Sequence, residues 1–379
     1  MLEHWIWLSD ALAPSGKACN ELLGRFSAEE IFALSPDEYK ELGFIQKGEY
    51  EKLCNKSLSE AKKIIEYCDK NSIGIMTYED GCYPSSLKGI FSPPPVLYYR
   101  GKLFDFDNTP MLTVVGTRRS TKEGEKTAYE FSCKLSSAGC VIVSGMACGI
   151  DTNANKGCLA GGSPTVAVLG SGLDNLYPKD NINLFKEIIA NGGAVVSEYP
   201  FGMEPLAGNF PRRNRIIAAL STALVVVRAA KRSGSLITAS QALSQGVTVF
   251  SVPGNIDDRL SGGTNELIRD GAIPLLSPMD VVDELIAKAP DFFVMEKDRR
   301  EEAKETAYKE AVKKEKEQKF DGLSDYEKEI VEIIASGKGT ANLIEENISF
   351  EAHRLTALLG MMEIKGIIKK GPGNKYIIL

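Results

Sequence analysis

Between residues 111 and 254, short runs of β-branched and aliphatic residues alternate with segments of helical length, and several runs end in turns holding Gly or Ser. MLTVVG runs into Thr117, Arg118, Arg119 and Ser120, and CVIVSG runs into Met146, Ala147 and Cys148. TVAVLGSG ends at Gly172, AVVSE at Glu198, TALVVV at Val227 and VTVFSVPG at Gly254. Strands that alternate with crossover helices build a parallel sheet. Their nearly unbroken apolar character suits strands covered on both faces. The pattern predicts an α/β fold in which a ligand lies outside the carboxyl ends of the strands.

The stretch over residues 210–238 carries the chemistry. Pro211 suits a first helical turn, where its missing N–H is not needed. It is followed by Arg212, Arg213 and Arg215, whose planar forks match phosphate oxygens. After the apolar run ending at Val227 come Lys231, Arg232 and the turn Ser233, Gly234, Ser235, whose free N–H groups would open a helix and attract an anion. Each arginine taken alone reads equally well as part of a solvated face. Two basic turns flanking one buried strand favour an anion site.

The remaining composition narrows the classes. A length of 379 residues suggests two or three domains, and 43% hydrophobic with 25% charged residues is a soluble globular balance. The net charge of −6 gives no global basic field, so a phosphate site must be a local patch. The eight cysteines include no CxxC pair and none lies in the C-terminal half, which speaks against a disulfide framework or zinc ribbon. His4 and His353 are the only histidines, which disfavours His-based triads and metal sites in the centre of the chain. The N-terminus lacks a basic n-region and no apolar run is long enough for a bilayer, so a cytoplasmic protein without membrane insertion is expected. The first strand is not followed by GxGxxG and no GxxxxGK[ST] occurs, so neither a conventional NAD site nor a P-loop is expected.

Four segments are expected in order. Residues 1–70 read as a small all-α module of short helices, of a sterile-alpha-motif or helix-hairpin-helix kind, with Pro14, Ser15, Gly16 and Lys17 as a candidate DNA-backbone hairpin. Plain helix packing is the preferred reading of that hairpin. Residues 71–290 form the α/β core, entered through a joint that Pro93, Pro94 and Pro95 hold extended. Residues 291–322, dense in Lys and Glu, are a linker, helical or tether-like. Residues 323–379 show the order of a winged helix-turn-helix, with 350–363 in the recognition-helix place and a turn at Gly371, Pro372, Gly373 and Asn374. Their charges nearly cancel, leaving DNA reading and protein contact equally open.

Seven motifs in order carry a family resemblance: VVGTRRST (114–121), VSGMACGID (143–151), VAVLGSGLDNLYP (166–178), SEYPFGMEP (197–205), FPRRNRIIAALS (210–221), SGSLITA (233–239) and VPG (252–254). With YPSSLKGIFSPPPVLYYRG (83–101), they resemble the DprA/Smf family, bacterial DNA-processing protein A, over most of residues 73–280. The resemblance implies an extended Rossmann-like core that binds single-stranded DNA without catalytic turnover. It further implies a role in natural transformation, dimerisation through that core, and protection of incoming strands while the RecA recombinase is loaded. No cofactor or metal is implied.

Mapped onto this chain, the implied strand-binding set is Gly116, Thr117, Arg118 and Arg119; Ser144, Gly145 and Met146; Gly170, Ser171 and Gly172; Phe210, Arg212, Arg213, Asn214 and Arg215; and Ser233, Gly234, Ser235 and Thr238. Arg side chains and backbone N–H groups of this kind follow a phosphate backbone without reading bases. Phe210, Tyr199 and Phe201 are candidates for base stacking. Two departures from the family pattern stand out: Arg228 replaces an acidic residue, either adding to the anion site or pairing with a nearby carboxylate, and Asn153, Ala154, Asn155 replace an Ala-His pair.

A rival reading comes from the nucleotide phosphoribohydrolases, whose PGGxGTxxE motif supplies a catalytic glutamate. Here residues 233–241 read SGSLITASQ, and the amide of Gln241 cannot act as a general base. A nucleotide sensor on the same fold is the third reading.

Overall fold

The computed structural model describes residues 1–12, 16–288 and 322–379. Pro14 and Ser15 of the candidate hairpin, and the charged segment up to residue 321, lie outside the described residues. The chain divides into two compact units, Met1–Glu296 and Lys297–Leu379.

The first unit is built on one nine-stranded sheet: β1 (Gly74–Thr77), β2 (Val96–Gly101), β3 (Met111–Val115), β4 (Val141–Ser144), β5 (Thr165–Leu169), β6 (Ala194–Ser197), β7 (Ala223–Val226), β8 (Thr248–Ser251) and β9 (Ile273–Pro274). Their order is β1-β2-β6-β5-β4-β3-β7-β8-β9. The seven strands from β6 to β9 pair in parallel, while β2 runs antiparallel to both β6 and β1. The fold is therefore mixed α/β around a large, mostly parallel sheet, as the alternating apolar runs predict.

Both faces of the sheet are covered, which is why its strands carry apolar residues at consecutive positions. In β3, Met111 and Val115 join one core with Ile216 and Ile217 of the helix Asn209–Ala219 and Ala239 and Ala242 of the helix Gly234–Ser244. Leu112 and Val114 join the opposite core, with Ala128 and Leu135 of Lys122–Ser137, Ile150 and Ala154 of Ile150–Ala160, and Val281 and Leu285 of Pro278–Lys288. Thr113, fully buried, satisfies its hydroxyl with Ser221 and the Ile217 carbonyl. From β3 the chain winds one way to β4 and beyond, then returns to place β7 on the other side of β3. The β3/β7 boundary is thus the topological switch point, where crevices open in such sheets.

The expected boundary near residue 70 is not a boundary of packing. Among the described residues six short helices occupy the N-terminus, two of them opened by Ser-to-Glu capping boxes at Ser27 and Ser35. Their core residues Trp5, Leu8 and Leu22 belong to one cluster with Val96 and Tyr98 of β2 and Leu169 of β5. The Asn20 side chain fastens the joint: it donates to the Ile90 carbonyl (3.0 Å) and accepts from the Ser92 N–H (2.5 Å). The proline run offers further acceptors, Pro93 O to the Cys19 thiol (3.0 Å) and Pro94 O to the Tyr83 hydroxyl (2.8 Å).

The second unit contains the helices Asp325–Ala335, Ala341–Glu345 and Leu355–Ile364, then a two-stranded ribbon of β10 (Ile368–Gly371) and β11 (Lys375–Ile378) around its own apolar core. Helix Leu355–Ile364 begins later than the expected 350, because Ala352–Arg354 form a 3-10 turn ahead of it. At the ribbon turn, Gly373 (φ 76°) and Asn374 (φ 56°) take the left-handed conformation that these residue types tolerate. Among the described residues no helix is long and apolar enough to cross a membrane.

Candidate functional site

The carboxyl ends of β3 and β7 and the N-terminal turns of Asn209–Ala219 and Gly234–Ser244 border a cleft of about 560 Å³. Gly116, Thr117, Arg118 and Arg119 line it from β3; Phe210, Arg213 and Asn214 from one helix; Ser233, Gly234, Ser235 and Thr238 from the other. Two helix N-termini therefore face one crevice, which favours anions through their unpaired N–H groups and dipoles. Ser233 caps the second helix, its Oγ accepting from Ser235 N–H (3.4 Å), while Asn214 Nδ2 donates to Gly234 O (3.4 Å) and ties the two helix starts together.

Arg118 and Arg119 are exposed, as are Lys231 and Arg232 after β7 and Arg259 after β8. None of the five forms an ion pair among the described residues. Phe210 is half-buried at the mouth, with the Arg118 guanidinium carbon 4.6 Å from its ring centroid and the exposed Tyr177 ring at 5.7 Å, inclined by 56°. Its ring rests on Gly170, where an added Cβ would meet Phe210 Cδ1 at 3.0 Å.

Several expected ligand groups serve inside the fold instead. Arg213 is 3% exposed and donates from Nη1 to the carbonyls of Gly145 (2.8 Å) and Val168, and from Nε to Asn214 Oδ1 (3.2 Å). Its counter-ion is the buried Asp151, whose Oδ2 accepts from Gly145 N–H (3.2 Å) and whose carboxyl also faces the N–H groups of Gly116 and Ala147. Burial pushes the Asp151 carboxyl up to about 6, against the pull of Arg213 and of those N–H groups. Burial likewise lowers Arg213 to about 10, with Asp151 opposing the shift. One buried carboxylate thus holds the ends of β3 and β4 and the helix Asn209–Ala219 in register, and Arg213 braces the cleft from behind.

Arg215 is also enclosed: its Nη2 lies 2.5 Å and its Nη1 3.4 Å from the two oxygens of Glu198, with both side chains under 10% exposed. Arg212 is exposed but borders a different cavity with Arg215. Gly145 and Gly172 spend their N–H groups on Asp151 and on Met203 O (2.9 Å). Ser144 and Ser171 are buried and donate to Val114 O and Asn175 O, each at 2.7 Å, and Met146 is fully buried. Tyr199 is buried, and Phe201 stacks on Tyr67 at 4.1 Å, so neither reaches the cleft. Arg228 pairs with Asp258, the second of its two expected roles.

Gly145 is required by this arrangement, since an added Cβ would stand 2.7 Å from both Arg213 Nη2 and Asp151 Oδ2. Gly145→Ala is expected to cost about 1–3 kcal/mol of stability through overpacking, read as a lowered urea midpoint at unchanged slope. Gly149 (φ 79°) closes the same loop against the carbonyls of Thr117 and Arg118. Sequence reasoning missed Asp151, Tyr177 and Arg259. The first two lie within quoted motifs, GID and NLYP, but nothing local marks their roles.

A family model for DNA recombination-mediator protein A matches residues 74–286. The DNA processing protein DprA of Streptococcus pneumoniae is 45% identical over 205 residues, covering 54% of this chain and 72% of that protein. The Smf protein of Synechocystis is 44% identical over 213 residues, covering 55% of this chain and 53% of its own, so the chain spans about half the length of that relative. The X-ray structure of the pneumococcal protein superposes with a TM-score of 0.65 at 34% identity, over 75% of this chain and 98% of that one. A structure of DNA processing protein A from Helicobacter pylori, described for its single-stranded DNA binding mode, superposes with a TM-score of 0.51 at 30% identity, over 56% of this chain and 96% of that one.

Proposed function

The chain belongs to the DNA recombination-mediator protein A family, and from that premise we propose that its switch-point cleft binds single-stranded DNA without turning it over. The observation that carries this reading is the pairing of free cations with exposed aromatic surface in one crevice. Arg118 and Arg119 line the cleft with Phe210, against which Tyr177 packs, and the exposed Lys231, Arg232 and Arg259 directly precede the lining residues Ser233 and Leu260 in the chain. Such a groove follows phosphates electrostatically and stacks bases of any identity. In the refined site, Arg118, Arg119, Ser233, Gly234 and Ser235 meet the backbone, while Arg213 and Asp151 hold the frame. Among the described residues Asp151 is the acidic residue lining the cleft, and its carboxyl accepts from three backbone N–H groups, which supports a binding site over a hydrolytic one.

We propose on the family resemblance a role in DNA uptake and natural transformation, in the cytoplasm and with the RecA recombinase as partner; the relatives' names carry DNA processing alone. Dimerisation through the Rossmann-like core is supported by the apolar residues Ile273, Leu276 and Met279, which are exposed at and after the edge strand β9. The helices and ribbon of residues 322–379 are read as a winged helix serving as an accessory contact module.

A competition experiment tests the cleft's ligand. Labelled oligo-dT bound to the full chain is expected to be displaced by unlabelled single strand and unaffected by AMP or ATP at equal phosphate concentration. Displacement by the mononucleotides would instead support the nucleotide-sensor reading, which the cleft volume also accommodates.

A further inference from the structure

The loop between β8 and the helix Gly262–Arg269 supplies part of the cleft's wall, which Leu260 lines. Both ends of this loop are fastened. Gly254 N–H donates to Asn265 Oδ1 (3.1 Å) and Gly254 O accepts from Asn265 Nδ2 (2.9 Å), while Gly263 N–H donates to Ala229 O (2.8 Å). Residues 254–257 and 259 are exposed, so little apolar burial holds the middle of the loop.

Asp258 is the hub of that middle. Its carboxylate accepts from Leu260 N–H (2.9 Å) and Ser261 Oγ (3.0 Å), and its carbonyl accepts from Ser261 N–H (2.9 Å). Leu260 N–H, with Ser261 and Arg228 adding to its effect, holds the Asp258 carboxyl below its ordinary value, so the group is ionised at neutral pH. Among the described residues, Arg228 is the partner through which residues 255–260 hydrogen-bond beyond their own loop.

Arg228 also reaches the opposite wall. It follows β7, and its carbonyl accepts from Thr117 N–H (2.7 Å), next to Arg118 in the chain. Its stem lies along the first turn of Lys122–Ser137, where a Cβ on Gly124 would stand 3.1 Å from Arg228 Cδ. One residue thus joins the loop carrying Arg118 and Arg119 to the loop carrying Leu260. We propose that Arg228 is a positioning residue of the cleft: through Asp258 it holds Leu260 in the wall against which a bound strand lies. This role presupposes that the cleft is the strand site.

Two variants of the full chain separate positioning from direct attraction of the strand. Asp258→Asn keeps an acceptor for Leu260 N–H and removes a negative charge, so electrostatics alone would tighten oligo-dT binding. Loss of the ion pair is instead expected to weaken it about threefold or more. Arg228→Gln keeps the stem on Gly124 and the carbonyl to Thr117. It should weaken binding to a similar extent at an unchanged salt slope, whereas loss of a phosphate-contacting arginine would make the slope shallower by about 0.7. In both variants hydrogen exchange should quicken about threefold or more in peptides spanning residues 254–262 and stay unchanged in the strands of the sheet. Oligo-dT binding by Asp258→Asn as tight as the parent's or tighter, a shallower slope in Arg228→Gln, or unaltered exchange at 254–262 overturns the proposal and leaves the strand reading standing. A parent chain that does not bind oligo-dT removes both.

Discussion

Asp151→Ala is expected to lower the unfolding free energy by about 1–3 kcal/mol, because it leaves buried backbone donors without their acceptor. Those donors are the N–H groups of Gly116, Gly145 and Ala147. The effect has a pH signature. The Asp151 carboxyl titrates near 6 in the folded chain and at its ordinary 3.8 when unfolded, so folding takes up a proton between those values. The stabilisation from that proton is fully present below about 3.8 and is lost as the pH rises through about 6. Urea titrations of parent and variant should therefore show a gap that widens from pH 7 towards pH 5. A gap that stays constant or narrows would mean that Asp151 is ionised throughout and that the coupling to Arg213 outweighs burial.

Phe210→Ala is expected to weaken oligo-dT binding by about 1–3 kcal/mol, some five- to 150-fold, with little change in the salt dependence, since it removes stacking and no charge. The side chain is half-buried and rests on Gly170, so part of the loss will appear as disorder of the cleft mouth. Phe210→Tyr separates the two contributions, because it keeps the ring and should retain most of the affinity. Fluorescence anisotropy at fixed ionic strength reads both variants. Equal losses for Ala and Tyr would assign Phe210 to packing alone.

The layout of the sheet was legible because its strands are buried on both faces. Runs such as MLTVV and ALVV admit few other readings, and helix-length spacers between them force parallel pairing. The location of the cleft followed from the same rule, and Arg118, Arg119, Phe210 and the SGS turn do meet there. The roles of the arginines in FPRRNR were not legible. Their fates are set by partners supplied from other elements: Asp151 at the start of the helix after β4 claims Arg213, and Glu198 at the end of β6 claims Arg215. Helical geometry then turns neighbouring arginines in different directions, leaving Arg212 exposed beside a separate cavity. Arg228 repeats the lesson, since its partner Asp258 sits in the loop after β8. The N-terminal helices read as a separate module because their attachment rests on single residues such as Asn20, whose partners at Ile90 and Ser92 carry no sequence mark of the contact.

The central claim is that the exposed arginines after β3 contact the phosphates of a single strand, and the salt dependence of oligo-dT affinity tests it most directly. For a single strand each phosphate contact contributes about −0.7 to the slope of log affinity against log salt. The parent chain should show a slope of several units. The double variant Arg118→Ala/Arg119→Ala should bind more weakly and have a slope shallower by about 1.4. An unchanged slope and affinity in the double variant would place the strand elsewhere on the protein and contradict the account.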